Sequence, residues 1–224
     1  MQFLGTREPG SDSPAEINSL NPLPIYVPQD RRGPMVANVP AQADYLWRMA
    51  MEGRLFVASD ADQNDMVTGA TSFANTTPTW LLSVPAGQVA LPLWLNLSQS
   101  GTVAGAAIDV LVEIDDVNRY ASGGTVETVF SAGVKRASRA NKCTLYSAPT
   151  AAAGYGVRLW GATLGQDVSP AEGAVQGPFW RPEMPYFLEG PASLLIYTYA
   201  GTTGPTWLWA VGWAEWTAEE LFGP

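Results

Sequence analysis

The chain of 224 residues predicts an all-β fold, an antiparallel two-sheet sandwich of jelly-roll type, with an extended Pro-rich N-terminal arm and one short helix. Three observations carry that expectation. Apolar residues alternate with polar or small ones at period two in run after run beyond residue 55. Gly- and Pro-containing turns separate the runs, as at Pro85-Ala-Gly87 and Ser122-Gly-Gly124. No helix-and-strand alternation of the kind that builds parallel sheets follows residue 55.

Residues 1–40 read as the arm. They hold Pro9, Pro14, Pro22, Pro24, Pro28, Pro34 and Pro40, a density that blocks helix and central strand and favours extended chain. Leu20, Leu23, Ile25, Tyr26 and Val27 give the arm something to bury, and Arg31 and Arg32 give it charge. Two readings stay open: an arm that orders on a partner, and a tail, either unstructured or laid across its own domain. The domain proper is expected over 41–224, opening with a helix over 41–53 that ends at Gly53.

About eight to ten strands are expected after that. Trp80, Leu82 and Val84 alternate. Val89, Leu91, Leu93, Leu95 and Leu97 all fall on one side, with Pro92 marking an edge or a bulge. Ile108, Val110, Val112 and Ile114 form a core face, opposite a mostly wet row of Asp109, Leu111, Glu113 and Asp115. Further strands are expected near 125–130, 142–147, 155–160, 185–188, 193–199 and 206–216. In the last, Trp207, Trp209, Val211 and Trp213 share a face, and the small residues Ala210, Gly212 and Ala214 on the other suit close approach by another sheet or subunit. A jelly roll is the common sandwich at this strand count.

Composition bounds the function. The charged share is 15% beside 46% hydrophobic, against about 25% charged in ordinary soluble domains. With nine Trp, eight Tyr and seven Phe, that points to surface buried against a partner, or else to a large core. The net charge of −9 argues against duplex nucleic acid and anionic membrane as partners. Met1–Pro9 has no basic leader followed by an apolar run, and Trp80–Leu97 is interrupted by Pro85, Gly87 and Pro92, so neither a signal nor a membrane span is expected.

The chain contains no histidine and one cysteine, Cys143. Those totals remove Ser-His-Asp and Cys-His catalysis, histidine-bound metal, zinc of the usual N/S type and any internal disulfide. Two carboxylates suffice for glycoside hydrolysis, and Asp109, Glu113, Asp115 and Asp116 are the candidates. A row of acids on a strand is more often a solvated face. Asp60-Ala-Asp62-Gln-Asn64-Asp65 opens like a calcium loop, but Asp65 and Thr71 stand where an EF-hand requires Gly and Glu, which leaves a polar loop or a looser carboxylate site for calcium. Val134–Lys142 gathers four basic residues and reads as a solvated loop, or as a contact with an acidic neighbour or nucleic acid. Trp207, Trp209 and Trp213 match either a sugar-stacking platform or a sandwich core.

Three stretches carry a resemblance: Thr77–Gly87, then Ile108–Gly124 with Asp115-Asp116 and Ser122-Gly-Gly124, then Glu189–Tyr197 leading to Trp213-Ala-Glu-Trp216. Together they resemble the jelly-roll structural proteins of tailed-bacteriophage virions. The resemblance implies a head decoration (cement) protein, or a minor capsid or fibre component. Such a protein is non-enzymatic, carries no cofactor, is made in the host cytoplasm, resides in the virion and is typically a homotrimer bound to the major capsid protein shell. Contact is then expected through Leu23, Ile25, Tyr26 and Val27, with Arg31 and Arg32. A carbohydrate-binding, lectin-like sandwich module is the alternative.

Overall fold

The alternating runs become strands, and their pairing order gives the fold its identity. The computed structural model describes residues 45–60, 66–100, 107–133, 139–164 and 176–223. The arm, with Leu23, Ile25, Tyr26, Val27, Arg31 and Arg32, lies outside the described residues, as do 61–65 of the Asp60–Asp65 loop and 134–138 of the basic stretch.

Helix α1 spans Tyr45–Met51, inside the stretch expected to be helical. The strands follow as β1 Leu55–Ser59, β2 Val67–Thr68, β3 Trp80–Val84, β4 Gln88–Ser100 and β5 Ile108–Asp115. Next come β6 Tyr120–Ser122, β7 Thr125–Val126, β8 Val129–Ser131, β9 Thr144–Ser147 and β10 Thr150–Ala151. The chain continues with β11 Val157–Leu164, β12 Gln176–Trp180, β13 Leu188–Glu189, β14 Ala192–Ala200, β15 Thr206–Thr217 and helix α2 Ala218–Phe222.

Two large antiparallel sheets result, with β10 and β6 pairing as a small third. One large sheet runs β12-β4-β15-β1-β8, and the other β11-β5-β14-β3-β9-β7. Numbering only the principal strands β1, β3, β4, β5, β11, β12, β14 and β15 in chain order, the first sheet reads first-eighth-third-sixth. The second reads second-seventh-fourth-fifth. That interleaving is the double Greek key of the jelly roll.

The core lies between the sheets. Trp80 and Leu194 come from one side, and Phe56, Leu95, Trp209 and Trp213 from the other, all at most 4% exposed. Trp80 and Trp209 meet at 5.5 Å between ring centres. The indole N–H of Trp80, Trp207 and Trp209 finds no acceptor among the described residues. These rings therefore serve as bulk, filling a gap that aliphatic side chains would leave partly empty.

One expectation about faces fails at β4. Its register against β15 pairs Leu97 with Trp209 and Leu95 with Val211, then Trp94 with Gly212 and Pro92 with Trp213. Leu93 is the extra residue of a bulge, and the alternation changes phase there. Leu95 and Leu97 enter the core, whereas Val89 and Leu91 share the outer face with Trp216 and Ala214. Pro92 marks that bulge, and on the side away from β15 it falls between the β13 pairing at 89–90 and the β12 pairing at 95–98.

Candidate functional site

The two outer faces of the sandwich differ in chemistry. On the β11-β5-β14-β3-β9 sheet, the row expected to be wet is covered. Leu81, Leu111, Ala151, Leu195 and Tyr197 form a second buried cluster there, with Tyr120, Tyr146 and Tyr199 packed against it. Tyr120 stacks on Tyr146 at 4.0 Å and 13°.

Arg119 holds this cover in place. It is 2% exposed, and its guanidinium reaches two loops and the end of β5. Nε donates to the Ala152 carbonyl at 2.7 Å, and one terminal nitrogen donates to Asp115 at 2.7 Å. The other terminal nitrogen donates to the carbonyls of Gly154 at 3.0 Å and Asn75 at 3.2 Å. A planar fork with five donors suits such a site, where a point charge would not. Glycine at 154 leaves room for this fork, since an added Cβ would sit 2.9 Å from the guanidinium and displace it. The Tyr197 hydroxyl donates to the same Asn75 carbonyl at 3.0 Å. Burial, reinforced by the Glu113 carboxylate, pushes that phenol up to about 12.

Of the four candidate carboxylates, Asp109, Glu113 and Asp115 are engaged here, and Asp116 is exposed beside them. Asp115 is held by Arg119, Asp109 accepts from the Thr163 hydroxyl at 2.5 Å, and Glu113 faces Arg158 at 3.6 Å. Each therefore has a local electrostatic or hydrogen-bonding partner within the sheet or its covering loops.

The β12-β4-β15-β1-β8 sheet presents the opposite character. Register places Leu55, Val57 and Ser59 of β1 outward, beside Ala214, Gly212 and Ala210 of β15. Beyond β15 come Leu91, Trp94 and Asn96 of β4. Phe130 of β8 lies beside Val57, and Phe179 of β12 beside Asn96, 54% and 53% exposed. None of these outward positions is charged. Gly212 is needed because the Trp94 indole lies on it, 2.3 Å from where a Cβ would stand. The small residues of β15 are thus partly covered from within the sheet.

Two further carboxylates secure the ends of strands. Glu215, 5% exposed, accepts from the Trp213 indole at 2.7 Å and from the backbone N–H of Lys142 at 2.6 Å and Cys143 at 3.3 Å. Burial, then Glu215, pushes the Cys143 thiol well up, which disfavours its thiolate. Glu220 accepts from Arg54 at 3.0 Å and Arg139 at 2.7 Å, and these guanidinium groups hold it well below the usual carboxylate range. Arg139, from the basic stretch, is therefore tied to α2 in this protein.

The tryptophans that matched a sugar platform, Trp207, Trp209 and Trp213, are at most 4% exposed and form core. Glycan stacking on them is ruled out. Reasoning on the sequence missed Arg119, Phe130, Phe179 and Glu215. Only Glu215 left a signal, as a carboxylate two residues beyond Trp213 on the tryptophan face of β15. No protein-family profile matches the chain, and neither a curated protein nor a solved structure is significantly similar to it.

Proposed function

We propose that the chain is a non-enzymatic virion structural protein, a decoration (cement) or minor capsid subunit that binds and stabilises a phage capsid shell. The observation that carries this reading is the complete jelly-roll strand order combined with exposed aromatics, Phe130 and Phe179, on the outer face of one sheet. A surface of that kind favours protein partners over nucleic acid. The resemblance of Thr77–Gly87 and Ile108–Gly124 to virion jelly rolls supplies the choice of partner. The engagement of Asp109, Glu113 and Asp115 in local contacts supports a scaffold in preference to a hydrolase. The arm residues Leu23, Ile25, Tyr26 and Val27, with Arg31 and Arg32, are the proposed contacts to the shell.

Quantitative mass spectrometry of purified particles tests the proposal. The expected result is a fixed number of copies of this chain per shell, retained through washing in high salt. Absence from the particles would overturn it.

A further inference from the structure

We infer that the outer face of β11, β5 and β14 holds a saccharide-binding site, a shallow trough between Phe73 and Arg158 that takes a neutral sugar. The inference goes beyond the assembly role proposed above and does not depend on it.

Register lays out the trough. Three cross-strand rows run from β11 over β5 to β14: Thr163, Asp109 and Tyr199, then Gly161, Leu111 and Tyr197, then Arg158, Glu113 and Leu195. Gly161 leaves a gap in the middle row, because a Cβ there would stand 3.0 Å from a Leu111 methyl and 3.9 Å from the Arg158 side chain. Gly161, Thr163 and Arg158 are exposed. On the far side stands Phe73, 38% exposed, its ring centre 5.2 Å from that of Tyr197 and 5.8 Å from that of Tyr199. Four residues along β5 and two strand spacings across give a floor of roughly 14 Å by 10 Å. One or two sugar rings fit within it.

Chemistry selects the ligand. A sugar offers an apolar C–H face and a rim of hydroxyls, each both donor and acceptor. The Phe73 and Tyr199 rings suit the first. Around them the Thr163 hydroxyl, the Tyr199 phenol, the Asp109 carboxylate and the Arg158 guanidinium supply donors and acceptors together. Burial, then the Asp109 carboxylate, raises the Tyr199 phenol, which keeps it a neutral donor. Glu113 is buried at the other end of the trough, and its cation Arg158 stands 3.6 Å away, beyond hydrogen-bond range, with 58% of its side chain exposed. A carboxylate has about four acceptor positions, more than this loose pair uses. Charge excludes the other classes of small ligand. Arg158 repels a cation, and Asp109 with Glu113 repels an anion. A neutral polyol meets neither penalty.

The test applies the full-length protein to an array of neutral, sulfated, uronic-acid and amino-sugar oligosaccharides. Neutral glycans are expected to be retained, and the best of them is titrated by calorimetry. Gly161→Val fills the trough and Phe73→Ser removes its wall, and each is expected to weaken that binding at least about tenfold. Tyr199→Phe removes one hydroxyl and leaves the packing, so it tests the site even where the larger changes unfold the sheet. Its expected loss is about fivefold. Phe130→Ser, at an exposed position of the other sheet, should bind like wild type. Melting curves accompany every variant.

Retention of no neutral glycan, or preference for a charged class, would overturn the inference. So would full binding by folded Gly161→Val and Phe73→Ser proteins, full binding by Tyr199→Phe, or binding lost through Phe130→Ser. The number of copies per shell is a separate measurement, so the proposed function stands or falls apart from this site.

Discussion

Arg119 shows how far a single residue's role can lie from its sequence neighbourhood. Its partners sit at positions 75, 115, 152 and 154, and three of them are backbone carbonyls, which have no identity in a sequence. Nothing between Asn118 and Tyr120 announces that this is the arginine to be buried. Glu215 was legible in principle, because a charge on the tryptophan face of a strand must find donors or unfold it. Replacing Arg119 with Lys keeps the charge and the pairing with Asp115 but removes the fork. An ammonium has three donors and one of them serves Asp115, so at least one of the Asn75, Ala152 and Gly154 carbonyls loses its donor, at about 1–3 kcal/mol, and the others are met in poorer geometry. The expected loss of stability is about 2–3 kcal/mol, read from urea midpoints at unchanged slope. A loss within about 0.5 kcal/mol would show that the covering loops hold without the clamp. Lys should outperform Ala here, since Ala would also leave Asp115 buried without its cation.

At the scale of elements, the strands with clean alternation were the ones legible in advance: β3, β5, β14 and β15 fall within a residue or two of their expected spans. Those that were missed have physical reasons. β12 reads Gln-Gly-Pro-Phe-Trp, and Gly and Pro argue against a strand unless it lies at an edge, where β12 does lie. Helix α2 directly abuts β15, and its capping box between Thr217 and Glu220 was obscured by the strand pattern before it. β4 was found but its faces were misjudged, because a run of leucines at every second position conceals a bulge. That bulge makes a sharp prediction. Deleting Leu93 removes the extra residue and leaves Pro92 opposite Trp213 and Trp94 opposite Gly212 in unbroken alternation, so the other side chains of β4 keep their faces. The cost should therefore be that of losing one half-buried side chain and the local bend, about 1–3 kcal/mol, read from thermal unfolding. Failure of the deletion variant to fold would contradict the bulge assignment.

For the whole molecule, alternation revealed the class of fold, while the order of strands came only from pairing. β1 pairs with β15 and β3 with β14, contacts closed across most of the chain, and no local pattern encodes them. The same closure sets the final prediction. Every buried residue of the main core cluster lies between Phe56 and Trp213, so the sandwich draws its described core from that span alone. The arm over 1–40 contributes seven prolines and the apolar group Leu23, Ile25, Tyr26 and Val27. Burying four such side chains on a partner contributes several kcal/mol, against which the cost of ordering the chain must be set. Proline restricts the free arm beforehand and reduces that cost. Deleting residues 1–40 should therefore shift the melting temperature by no more than a few degrees, yet weaken attachment to isolated shells at least about tenfold. Ile25→Ser, Tyr26→Ser and Val27→Ser together should reproduce much of the loss in the full-length chain. Normal attachment by both proteins would move shell binding to the sandwich. Unfolding on truncation would make the arm part of the domain's own core, and a melting curve taken beside the binding assay tells the two apart.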